Sequence, residues 1–206
     1  MKNKKALIIV DVQNDFCESG SLAVPQSNSI IAVINELMIS GDYDKVIATQ
    51  DFHPSDHMSF ASNNNAELFS DLELDNGEIQ KMWPDHCVQG TLGADFHKDL
   101  NLKTIDKIVK KGMHSNIDSY SGFFDNDKSS KTELDDYLKI NNIVEVDIVG
   151  LALDYCVSDT ALDSKKLGYK TNILIKGTKA TGLIDSEDKM VNLLKSISEK
   201  GIDIAD

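Results

Sequence analysis

Three residues of this chain stand where covalent chemistry could begin. Asp11 ends the apolar run KALIIVD (Lys5 to Asp11), Lys111 ends DKIVKK (Asp106 to Lys111) just before Gly112, and Cys156 follows VDIVGLA (Val146 to Ala152) after a short loop. A thiol is a weak nucleophile until it ionises, and a nearby ammonium or a helix N-terminus favours the thiolate. The stretch from Val157 to Leu167 has helical spacing, so Cys156 is expected to open that helix. A carboxylate at Asp11 could take the thiol proton and later activate water. Lys111 could stabilise both anions, and the amides around Ala152 and Cys156 could form an oxyanion hole. Each residue alone has an ordinary structural use, as a packed thiol, a turn cap or a surface charge. Their shared place at the carboxyl ends of apolar runs makes them a set.

A second group lies in QDFHPSDHMSF, Gln50 to Phe60. Asp51 and His53 are two apart, so an extended backbone points both the same way. His86, in MWPDHCVQGT, could complete a two-His, one-carboxylate site. Such a site suits Zn, Fe or Mn and leaves positions open for water or substrate. His57 and Ser59 are expected as partners behind the ligands, with His57 also open as an extra ligand. As a bare spacing D-x-H is weak, since loop histidines are more often solvated than metal-bound.

These residues need elements to hold them. Five apolar, β-branched runs, the three above with KVIATQD (Lys45 to Asp51) and KTNILI (Lys170 to Ile175), are nearly continuous rather than alternating. That is the pattern of strands buried on both faces of a parallel sheet. Between them lie helical patterns over 27–39, with Ser27 or Ser29 as cap, over 131–142, over 156–169 with Gly168 as C-cap, and over 187–201. Strand and helix alternate, so the expected class is α/β: a three-layer α/β/α arrangement with a mostly parallel central sheet. The stretch from Phe52 to Asn101 is long and poor in strand signal, which in a compact domain usually marks function.

Composition bounds the rest. The 206 residues suit one domain over 1–206, and 41% are hydrophobic. The formal net charge of -13 argues against nucleic acid or an anionic membrane as partner. Cys17, Cys87 and Cys156 are odd in number and widely spaced, with no CxxC, and Cys17 and Cys87 carry no evident role beyond packing. The N-terminal apolar run is too short for a signal peptide, and no segment reaches membrane-helix length. The expectation is a cytoplasmic protein with reduced thiols, its oligomeric state open, a homo-oligomer included.

Five blocks occur in order: IIVDVQNDFCESGSL, TQDFHPSDHMSF, WPDHCVQGT, KGMHSNIDSYSGFFD and GLALDYCVSDTALD. Together they resemble the nicotinamidase (pyrazinamidase) branch of the isochorismatase-like cysteine hydrolases, over nearly the whole chain. The resemblance implies the isochorismatase-like hydrolase fold and a Cys-Asp-Lys triad on Cys156, Asp11 and Lys111, with Lys110 the rejected neighbour. It implies one divalent ion on Asp51, His53 and His86, zinc first with Fe or Mn as alternatives. It implies a cis peptide at Leu151–Ala152, an oxyanion hole on the Ala152 and Cys156 amides, and a ring pocket lined by Phe16, Trp83 and Tyr120. Leu153 stands where many members have Thr. The implied activity is hydrolysis of nicotinamide, and of pyrazinamide, through a thioester in NAD salvage. Three alternatives stay open: a relative cleaving another small amide such as an N-carbamoyl compound, a Cys-His scheme using His86 or His114, and a binding or redox-sensing protein with a reactive Cys156.

Overall fold

The computed structural model describes residues 3–74 and 77–206. Nearly continuous apolar runs form strands only where both faces are covered, and here they are. In chain order the elements are β1 (Lys4–Val10), α1 (Ser29–Ile39), β2 (Lys45–Asp51), α2 (Ala61–Asn64), β3 (Asp71–Glu73), β4 (Ile79–Lys81), β5 (Lys107–Lys111), α3 (Leu134–Ile140), β6 (Ile143–Leu151), α4 (Ser158–Lys166), β7 (Lys170–Lys179), α5 (Glu187–Glu199) and β8 (Asp203–Ala205). Six strands make one sheet in the order β5-β2-β1-β6-β7-β8, and every pairing in it is parallel. β3 and β4 form a separate antiparallel hairpin.

The side-chain period of two splits the core into two layers. Ala6, Ile8 and Val10 of β1 pack with Leu134 and Leu138 of α3, Ala161 of α4 and Ile197 of α5. Leu7 and Ile9 pack on the opposite face with Ile30, Ile31 and Ile34 of α1. All five strand residues are fully buried, and burial of a Leu or Ile side chain contributes about 1.5–3 kcal/mol. The expected three-layer α/β/α architecture is therefore present.

The chain builds β2 and β5 outward from one side of β1, then returns to place β6, β7 and β8 on the other. The order reverses between β1 and β6, and ligands of open α/β sheets bind at such a point beyond the strands' carboxyl ends. Gly150 lets β6 approach β1 there: its φ is +113°, and a Cβ would lie 2.1 Å from the Val10 carbonyl oxygen.

Several expectations shift. β6 begins at Ile143 rather than Val146. β7 continues to Lys179, and its register with β6 shifts from Ile148–Ile173 to Gly150–Thr178, an irregularity within a continuous strand. The edge strand β8 has only three residues, too few to show a pattern. The first helix has Asn28, not Ser27 or Ser29, at its N-cap; the Ser29 hydroxyl donates instead to the Gln26 carbonyl. Gly168 takes a φ of +95° after α4, as a helix-ending glycine should. No described helix is long and apolar enough to cross a membrane.

Candidate active site

Four strand ends deliver the candidate residues. Asp11 follows β1 with a φ of +49°, a conformation that costs a non-glycine residue energy and that clusters at functional sites. Thr49 on β2 holds it: the Thr49 hydroxyl donates to Asp11 Oδ1 at 2.6 Å and accepts the Asp11 N–H at 3.2 Å. Asp51 ends β2. The buried Gln13 amide clamps its backbone, accepting the Asp51 N–H and donating to the Asp51 carbonyl, both at 2.8 Å. Lys111 ends β5 and is 1% exposed.

Cys156 departs from expectation in its local structure. It lies inside a π-helical turn, Leu153–Val157, that runs into α4 rather than at the first residue of that helix. The Ala152 carbonyl accepts the N–H groups of Tyr155 and Val157, both at 3.1 Å, passing over the N–H of Cys156 between them. The peptide bond Leu151–Ala152 is cis.

The Lys111 ammonium gathers the set. It lies 3.0 Å from Asp11 Oδ2 and 3.0 Å from Asp51 Oδ1, donates to the Ser119 carbonyl at 2.8 Å, and sits 3.5 Å from Cys156 Sγ. Burial opposes the charge on Lys111, but the Asp11 and Asp51 carboxylates hold its pKa well above the ordinary value. Burial raises the Asp11 pKa, and neighbouring Asp51 adds to that, while Lys111 opposes it. Asp11 Oδ2 is buried against the Lys111 ammonium, and a side-chain hydrogen bond with Asp11 is among the causes that raise the pKa of Cys156.

The protonation of Cys156 also differs from expectation. Lys111 does favour the thiolate, but burial is the larger effect, and with Asp11 and Asp51 nearby it pushes the Cys156 thiol well above its ordinary value. Burial thus favours the neutral thiol, with the Asp11 carboxyl and the Lys111 ammonium beside it.

The long segment that looked irregular is zipped onto itself. His53 N–H donates to the Cys87 carbonyl at 3.0 Å and Gln89 N–H to the His53 carbonyl at 2.8 Å. Trp83 N–H donates to the Ser59 carbonyl at 2.8 Å, and Ala61 N–H to that of Trp83 at 2.8 Å. Asp15 secures the far side by accepting the Cys87 N–H at 2.8 Å. These pairings carry His53 to His86, and the ligand atoms of Asp51, His53 and His86 fall within 4.8 Å of one another.

This trio fits a metal ion on its donor chemistry. His53 Nδ1 donates to the Gly112 carbonyl and His86 Nδ1 to the Pro84 carbonyl, each at 2.8 Å. A neutral ring donating from Nδ1 carries its lone pair on Nε2. Both Nε2 atoms face Asp51 Oδ2, at 3.0 Å and 3.7 Å. Three acceptors directed at one another require positive charge between them, which a proton or a cation can supply. Asp51 thus serves both groups, Oδ1 toward Lys111 and Oδ2 toward the histidines.

His57 and Ser59 sit behind this trio. The His57 ring lies 4.0 Å from that of His53, its Nδ1 pairs with the Ser59 hydroxyl at 2.8 Å and its Nε2 donates to the Ile117 carbonyl at 3.1 Å. Both nitrogens are engaged, and burial with the adjacent His53 lowers its pKa to about 4, so it is neutral. The ligand atoms of His53, His57 and Asp118 also come within 4.8 Å.

A small cavity of about 40 Å³ opens onto Cys156, Ala152, Asp51 and His86. Phe16, Trp83 and Tyr120 line it as expected, and Trp83 Nε1 donates to the Tyr120 hydroxyl at 3.2 Å. Leu22, Val24, Asp118, Tyr155 and Thr181 line it too and were not singled out from the sequence. Tyr155 packs edge-on against Trp83 with ring centres 5.0 Å apart. Its place beside Cys156 was a usable signal; Thr181, just past the end of β7, gave none. The sulfur's ammonium partner is Lys111, while His86 turns both nitrogens elsewhere, which removes the His86 version of a Cys-His scheme.

The isochorismatase domain model matches residues 5–201. A nicotinamidase of Escherichia coli is 45% identical over 181 residues, covering 87% of this chain and 84% of that protein. The structure of an Acinetobacter baumanii nicotinamidase/pyrazinamidase superposes with a TM-score of 0.91 at 41% identity, covering 100% of this chain and 97% of the other. A pyrazinamidase of Pyrococcus horikoshii, solved in complex with zinc, superposes with a TM-score of 0.78 at 32% identity over 98% of each chain.

Proposed function

The chain belongs to the isochorismatase family, and from that premise we propose that its site hydrolyses nicotinamide to nicotinate and ammonia, in NAD salvage, with pyrazinamide as a second substrate. The observation that carries the reading is the buried Lys111 ammonium, in reach of Asp11, Asp51 and Cys156 Sγ, with Asp51 and Cys156 facing an aromatic-lined pocket. The residue roles that follow belong to the proposal.

The ring lies among Phe16, Trp83 and Tyr120, with its carboxamide toward Cys156. Sγ bonds to the carboxamide carbon as its proton passes to Asp11, already within side-chain hydrogen-bonding reach of the thiol. The carbonyl π pair moves onto oxygen, which the N–H groups of Ala152 and Cys156 receive. Asp11 returns the proton to the amide nitrogen as the C–N bond breaks, and ammonia leaves. The thioester that remains is opened by a water that gives a proton to Asp11 as its oxygen bonds to the carbonyl carbon. The C–S bond breaks as the carbonyl re-forms, sulfur recovers that proton, and the acid departs, giving its carboxyl proton to solvent to become nicotinate. Lys111 keeps its charge throughout and stabilises whichever of the sulfur and Asp11 is anionic.

Asp51, His53 and His86 would hold one divalent transition ion, with zinc the first choice for two imidazoles and a carboxylate, iron or manganese being the alternatives. When bound it supplies a Lewis-acid position for the ring nitrogen. The zinc of the Pyrococcus horikoshii relative supports that choice.

A coupled ammonia assay against nicotinamide, pyrazinamide and an N-carbamoyl amide tests the reading. The expected result is the highest kcat/KM on nicotinamide, with pyrazinamide turned over. Preference for the N-carbamoyl compound would transfer the site to the other amide class.

A further inference from the structure

Asp154 stands two residues before Cys156 in the same π-helical turn, and the chemistry above makes no use of it. Its carboxylate is spent on one residue: Oδ1 accepts the Thr181 N–H at 2.9 Å and Oδ2 accepts the Thr181 hydroxyl at 2.5 Å. That hydroxyl accepts the Leu183 N–H at 3.2 Å, so one carboxylate organises the strip 181–183 beyond β7. The strip lies beside the loop after β1, since a Cβ on Gly182 would sit 3.8 Å from the Pro25 ring.

Two cavities meet along this line. The inner one, about 40 Å³, opens onto Cys156, Asp51 and His86; the outer one, about 430 Å³, lies toward Pro25, Phe69 and Leu183. Leu22, Val24, Trp83 and Thr181 line both, and so form the wall between them. These shared residues border the space a bound ring would fill, so whatever anchors them governs how tightly the ring is gripped. Thr181 is the wall residue anchored by a charged group, through charge-assisted bonds stronger than neutral ones.

We propose that Asp154 is a positioning residue whose clasp on Thr181 sets where the outer wall of the substrate pocket stands, and with it the grip on the ring and the size of amide admitted. The inference rests on the amidase reading above. Breaking the clasp leaves Cys156, Asp11 and Lys111 in place, so it acts on binding before chemistry.

The test is steady-state kinetics on Asp154→Ala, Thr181→Val and the double variant, with nicotinamide and a ring-methylated nicotinamide. KM for nicotinamide rises about tenfold in each single variant with kcat held within about threefold, the split expected when only binding is lost. The double variant matches the singles, because both remove one interaction. Discrimination against the methylated amide falls. Unchanged KM in both single variants, a loss confined to kcat, or additive effects in the double variant overturns the proposal. If the wild type releases no ammonia from nicotinamide, the functional reading fails instead. The rate of Cys156 alkylation by iodoacetamide then decides on the clasp alone: faster in Asp154→Ala upholds it, an equal rate overturns it.

Discussion

Lys111 divides one ammonium among two carboxylates, a carbonyl and a sulfur, all within 3.5 Å. A charge buried this fully persists only with such partners. At Cys156 burial raises the thiol's pKa, and under the proposed chemistry the adjacent Asp11 receives its proton as the bond forms. Asp11 can do so only if it is aimed, and Thr49 is the residue that aims it. Thr49→Val keeps the shape and removes the hydroxyl. It should lower kcat at least tenfold with little change in KM, and cost about 2 kcal/mol of stability, as loss of a hydrogen bond to a charged group does. Unaltered kcat at full folding would show that Asp11 does not depend on this bond.

At the scale of elements, the site is held by loops that are themselves tied to strand ends. Gly112, just past β5, shows how little freedom remains. Its carbonyl accepts from His53, its φ is +63°, and an added Cβ would stand 2.4 Å from His53 Cε1 and 2.9 Å from Asp51 Oδ1. Gly112→Ala should displace His53 and cut the metal content measured by elemental analysis; wild-type content would mean that His53 need not stay where it is. On the other face, α4 is tied to the 125–131 loop through Asp163, which meets Lys128 at 2.8 Å and Lys166 at 3.1 Å. Burial opposes the Asp163 charge, but these lysines, with Ser121, hold its pKa below the ordinary 3.8. A carboxylate with a depressed folded pKa contributes stability that is present above its unfolded value and lost as pH falls through the folded one. Asp163→Asn should therefore cost about 1 kcal/mol at pH 7, a gap that closes as the pH drops below 3.8. A gap that persists at pH 2 in chemical denaturation would place the effect in packing instead.

Over the whole molecule, much of the plan was legible in the chain. Four of the five apolar runs carry the reactive side chains at or just past their ends, and the parallel order brings those ends to one rim around the β1/β6 switch point. What was not legible is what depends on distant partners. The run of Cys156 into α4 looks helical in sequence, but its π-helical start is set by the Ala152 carbonyl and the β6 register. The thiol's protonation depends on burial by residues far along the chain. Thr181 reached the pocket wall through a register jump in β7 that no local pattern announces. The pairing of 53–61 with 83–89 is written in backbone hydrogen bonds rather than side-chain periodicity.

The central claim is that Cys156, served by Asp11 and Lys111, is the nucleophile of a nicotinamide hydrolase. Its most direct measurement is ammonia release from nicotinamide by the wild type and Cys156→Ala, both matched for circular dichroism and metal content. The account predicts rapid release by the wild type and a loss of at least about 10⁴-fold in the variant, since removing a covalent nucleophile removes both chemical steps. Release by Cys156→Ala within about tenfold of the wild type would contradict it.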